Sequence, residues 1–72
     1  MTKKEALEAA TDAFGFNSSL ELLEAATADS VVPGICLNCG YTEELEPDAC
    51  DYDCPECKLP MLSSVLVIAE IL

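Results

Sequence analysis

Cys36-Leu37-Asn38-Cys39-Gly40-Tyr41 is followed, with fourteen residues between Cys39 and Cys54, by Cys54-Pro55-Glu56-Cys57, and these two strings decide how the chain folds. Each C-x2-C turn aims two sulfurs at one point, and the backbone N–H groups of the turn can face those sulfurs. Two such turns at the tips of adjacent hairpins complete a tetrahedron around one ion, with metal–sulfur distances of about 2.3 Å for zinc. The fourteen intervening residues suffice for a strand, a turn and a return strand. The spacing therefore predicts one structural zinc ion held by Cys36, Cys39, Cys54 and Cys57.

The flanking residues bear on that prediction. Gly40 follows Cys39, where a knuckle often needs a positive φ angle. Pro55 stiffens the second turn. Lys58 occupies the position that corresponds to Gly40, and two readings stand: a cation beside the thiolates, or a solvated surface lysine. Cys50 precedes Cys54 by four residues, so a C-x3-C turn can place it as a ligand instead. Cys54-Pro55-Glu56-Cys57 is the better knuckle, and Cys50 is assigned as a half-buried small apolar residue near the site.

With 72 residues the chain is one small domain. At this size only about 60% of the unfolded surface becomes buried, so a disulfide, metal or partner usually supplements the core. Disulfides need an oxidising compartment. The N-terminal stretch carries Lys3 and Lys4, but Glu5, Glu8 and Asp12 interrupt any apolar run, so no secretory leader is expected. The five cysteines are an odd number, which fits a disulfide framework poorly. The longest apolar run, Val65 to Ala69, falls far short of the ~20 residues that span a bilayer. The expectation is a cytoplasmic chain with reduced thiols.

Three lysines face fourteen acidic residues, arginine is absent, and the formal charge is −11. Phosphate backbones repel such a surface, since nucleic-acid affinity rests on Lys and Arg displacing counterions. Direct nucleic-acid or anionic-membrane binding is not expected. The acidic run Glu43, Glu44, Glu46, Asp48, Asp51 and Asp53 is either a solvated hairpin face or a dock for a basic protein. Tyr41 and Tyr52 either pack over the knuckles or serve in recognition.

Outside the cysteines, local signals place the elements. Thr2 with Glu5 is a capping box opening a helix. Ala6, Leu7, Ala10, Ala13 and Phe14 lie on one helical face, and Gly15 ends it. Ser18 with Glu21 repeats the box, with Leu22, Leu23 and Ala26 as the next face and Asp29-Ser30 as the stop. Val31 to Ile35 is extended, Tyr41 to Glu46 is a strand, and Pro47-Asp48 turns the chain. The tail from Pro60 is ambiguous: Val and Ile favour a strand, whereas Ser64 can cap a short helix carrying Leu66, Ala69 and Glu70. A strand over Met61 to Ser63, then an apolar segment under the helices, is the preferred reading. The fold class is thus a small α+β metal-bound domain. A helical hairpin over residues 1–30 packs on a three-stranded zinc ribbon over residues 31–72, and the two form one cooperative unit.

At both knuckles the sequence resembles the zinc-ribbon superfamily, and the same strings look like rubredoxin knuckles. Pro33-Gly34-Ile35-Cys36, Cys39-Gly40-Tyr41-Thr42 and Glu46-Pro47-Asp48, with the apolar tail, resemble small uncharacterised zinc-ribbon proteins of bacteria and their phages. That resemblance implies metal and fold but no biochemical activity. Rubredoxins, as a family, have a longer stretch between the pairs and an aromatic-rich core, whereas this chain has four aromatics and no tryptophan.

Catalysis finds little support. Histidine is absent, and four thiolates close a zinc coordination shell. The expected role is a structural zinc ribbon acting as a protein-binding adaptor or accessory subunit. The alternatives are a zinc ribbon contacting nucleic acid within a larger complex and, behind it, a rubredoxin-like electron carrier.

Overall fold

The Thr2 hydroxyl opens the first helix, α1 (Lys3–Ala13), in a computed structural model that describes residues 1–71. Both halves of the capping box form: Glu5 N–H donates to Thr2 Oγ1 at 3.1 Å, and Thr2 N–H to Glu5 Oε1 at 2.8 Å. Phe14 caps the other end. Gly15 then takes φ +77°, so that Phe16 N–H reaches Thr11 O at 2.9 Å and Gly15 N–H reaches Asp12 O at 3.3 Å. This is the Schellman pattern, and it needs a left-handed residue at that point.

Helix α2 (Ser19–Ala28) starts at Ser18, whose hydroxyl accepts from Glu21 N–H at 3.2 Å. The reciprocal bond from Glu21 does not form among the described residues, so the second capping box is only half made. The α1 face is also rotated from the expected one. Ala6 and Ala10 are fully buried, but Ala13 is exposed and Thr11 is buried in its stead. The Thr11 hydroxyl is satisfied by Leu7 O at 2.7 Å and meets Ser19 Oγ at 3.4 Å, which ties the two helices together.

Three strands follow: β1 (Val32–Cys36), β2 (Thr42–Leu45) and β3 (Leu62–Ser64), in the antiparallel order β2-β1-β3. Pro33 lies one residue outside the last β1–β3 pair, Gly34 with Ser64, so its missing N–H does not interrupt that pairing. Gly34 is buried where the Leu45 side chain crosses β1. A turn at Pro47-Asp48 is closed by Ala49 N–H on Glu46 O at 3.0 Å. The return segment makes a single bridge rather than a strand: Tyr52 exchanges both backbone bonds with Leu62, at 2.9 and 3.0 Å.

The tail is strand and helix in succession. Strand β3 sits one residue later than Met61 to Ser63, and Ser64 then caps α3 (Val65–Ile68) by accepting from Val67 N–H at 3.2 Å. Ser64 also donates to Pro47 O at 2.6 Å and bonds Ala49 O through its N–H at 3.0 Å. These bonds turn the chain at a fixed place. The β-branched run after it becomes helical because the corner and the core demand it, against its local preference. Leu72 lies outside the described residues.

The buried side chains form two clusters. One holds Ala6, Ala10, Leu22, Ala26, Val32, Ile35, Val65, Leu66 and Ile68, between the helices and β1. The other holds Cys36, Leu45, Ala49, Cys54 and Leu62, with Tyr41, Cys57 and Met61 packed on it. Strand β1 belongs to both, giving Val32 and Ile35 to the first and Cys36 to the second.

Candidate metal centre

The two knuckles share one backbone pattern. In the first, Gly40 N–H donates to Cys36 O at 3.0 Å and Cys36 N–H to Tyr41 O at 2.8 Å. In the second, Lys58 N–H donates to Cys54 O and Cys54 N–H to Leu59 O, both at 2.9 Å. The residue after each second cysteine is left-handed, with φ +82° at Gly40 and +67° at Lys58. That conformation turns the next N–H back onto the sulfur: Tyr41 N–H onto Cys39, and Leu59 N–H onto Cys57. Lys58 accepts the strain without glycine. Its ammonium bonds Pro55 O at 2.9 Å, on its own knuckle.

The four sulfurs meet between the turns, all within 4.8 Å of one another. Cys36 and Cys57 are 3.6 Å apart, as are Cys39 and Cys54. A tetrahedron with metal–sulfur bonds of about 2.3 Å has edges of about 3.8 Å, so the spacing fits a single ion. Asn38 N–H donates to Cys36 Sγ at 3.4 Å, and the Asn38 side chain lies close enough to the Cys57 sulfur to favour its thiolate. Cys36, Cys39, Cys54 and Cys57 are therefore positioned to bind one metal ion.

The Leu59 N–H and then the Asn38 side chain pull the Cys57 thiol down to about 6. For Cys39, the Tyr41 N–H works downward, but burial and hydrogen bonds from the other three sulfurs outweigh it, giving about 12. Four negative sulfurs in contact need a positive charge among them, which a divalent ion supplies.

Cys50 stands outside the cluster and is exposed, not half-buried as expected, because its neighbour Ala49 takes the core position. Tyr41 packs on the cysteine-side core, and its hydroxyl is held above the usual range by burial and then by Glu43, Glu56 and Cys54. Tyr52 is 42% exposed and contributes its backbone instead. The acidic residues of the hairpin are exposed, apart from half-buried Glu43. The sequence offers Ser64 as a helix cap, but it does not single out Asn38 or Ser63, nor the bond from Ser64 to Pro47. Ser63 accepts from Asp51 N–H at 3.0 Å and, with Ser64, pins the return segment to β3. A short polar residue inside a knuckle, and a second serine beside Ser64 in an apolar tail, are the available signals. Comparison with protein-family models, with curated proteins and with solved structures found no match.

Proposed function

We propose that this chain is a structural zinc-ribbon protein of the cytoplasm that serves as a protein-binding adaptor or accessory subunit and carries no catalysis of its own. The observation behind this reading is the convergence of four cysteine sulfurs from two equivalent knuckles. Thiolates are soft ligands suited to zinc, and four of them leave no open position for a reacting water. A cleft elsewhere is lined by Glu8, Thr11, Asp12, Asn17, Ser18 and Ser19, and it contains no nucleophilic thiol or imidazole.

The partner surface in this reading is the acidic hairpin, with Glu44, Glu46, Asp48, Asp51 and Asp53 exposed. A basic protein complements it. The lysines offer no stripe for phosphates: Lys3 pairs with Glu70 at 3.4 Å, and Lys58 is bonded to Pro55. Among the described residues no helix is long and apolar enough to cross a membrane. Native mass spectrometry of the chain isolated gently from its host tests both halves of the proposal. One zinc ion per chain and a stoichiometric basic protein are expected. A metal-free, disulfide-bonded chain removes the zinc reading, and a zinc-loaded chain with no partner removes the adaptor.

A further inference from the structure

The four sulfurs are unequally placed. Cys36 and Cys54 are buried, Cys57 is half-buried and Cys39 is exposed. The two 3.6 Å contacts both cross between knuckles, joining Cys39 to Cys54 and Cys36 to Cys57. We propose that the centre is a peroxide-responsive switch in which Cys39 is the reacting sulfur and Cys54 the resolving one. Its oxidised form carries a Cys39–Cys54 disulfide and no metal. Release of the ion and the thiolate character of Cys39 both rest on the zinc reading above, whereas the choice of Cys54 as its partner rests on where the sulfurs lie.

Accessibility selects the first step, because a metal-bound cysteine is a thiolate and only an exposed one meets a solvent-borne oxidant. The Cys39 thiolate attacks one oxygen of hydrogen peroxide. An S–O bond forms, the O–O bond breaks and hydroxide leaves, giving a sulfenic acid. Proximity selects the second step. The Cys54 thiolate attacks the Cys39 sulfur, the S–S bond forms, the S–O bond breaks and a second hydroxide leaves. The two sulfurs together lose one electron pair, and the peroxide oxygens gain it. Closing 3.6 Å to a bond of about 2.05 Å takes a shift of about 1.5 Å.

The consequence is structural. Cys36 and Cys57 alone are too few to hold the ion, so it departs. The new bond joins the same two turns that the ion joined, so the hairpins remain tied. A disulfide within either C-x2-C turn would leave them untied. Cys50, outside the cluster, takes no part.

The test treats the reduced, metal-loaded protein and its Cys50→Ser variant with one equivalent of hydrogen peroxide, after measuring metal content. Released metal is read with a chromogenic chelator. Disulfides are mapped by mass spectrometry after cleavage at glutamate, which at Glu56 parts Cys54 from Cys57. The expected result is a Cys39–Cys54 link in both proteins, one ion released per link, and reversal by dithiothreitol with added zinc. A first link within a knuckle, a link through Cys50, or metal loss without any disulfide overturns the switch. If the starting protein holds no metal before peroxide is added, the zinc reading fails at that measurement, and the switch falls with it.

Discussion

Gly34 and Lys58 show how single residues carry the backbone of this domain. A Cβ on Gly34 would collide with the Leu45 side chain, lying 2.7 Å from its Cγ and closer still to its Cδ1. The Ser63 carbonyl, 3.2 Å away, closes the other side. Gly34→Ala must therefore displace Leu45 from the cysteine-side core, a cost of about 1–3 kcal/mol, measurable as a lower denaturant midpoint. Lys58 presents the opposite case. A non-glycine residue in the left-handed region costs about 1–2 kcal/mol, which glycine avoids at the expense of greater freedom when unfolded. Lys58→Gly should raise the stability of the metal-loaded protein by about 0.5 kcal/mol. An unchanged or lowered midpoint would show that the Lys58 ammonium contributes more than the strain removes.

At the scale of the elements, the helix ends test how far local chemistry governs the fold. Thr2→Ala deletes the hydroxyl that caps α1 and should cost about 1 kcal/mol near neutral pH, followed by thermal melting. Glu5 adds a pH dependence with a definite sign. The Thr2 N–H, and then the Thr2 hydroxyl, hold the Glu5 carboxyl below its ordinary value. Its contribution is complete above the unfolded carboxyl pKa, about 4.3, and fades as acid carries the solution down through the lower folded value. Glu5→Gln should flatten the stability profile in that acid range. These caps, and the C-x2-C turns, were legible in the sequence because each is closed by residues a few positions apart. What stayed illegible depends on distant partners. The tail read ambiguously because Val65-Leu66-Val67-Ile68 favours a strand locally, and the bonds of Ser64 to Pro47 and Ala49 decide otherwise. The sequence alone suggests a half-buried Cys50 because nothing in it shows that Ala49 faces the core.

For the whole molecule the issue is whether the two buried clusters stand or fall together. The cysteine-side cluster contains only five buried residues, and two of them are Cys36 and Cys54. Its cohesion depends on what those sulfurs hold. The helix-side cluster is larger, but Ala6, Ala10 and Ala26 make up three of its nine members and bury little area each. It is completed by Val32 and Ile35 of β1, a strand held in register by β2 and β3, which contribute Leu45 and Leu62 to the other cluster. Magnitudes decide between local and global melting. A structural zinc site contributes on the order of 10–16 kcal/mol of apparent binding free energy. A domain of this length is stable by about 4–11 kcal/mol in total, at roughly 0.05–0.15 kcal/mol per residue. Removing the metal with a strong chelator should therefore unfold the helices as well as the ribbon. Far-ultraviolet circular dichroism should lose its helical signal together with the protection of the β1 amides, and both should return on adding zinc. Persistence of the helical signal while the amides of residues 36–62 exchange freely would show two independent units.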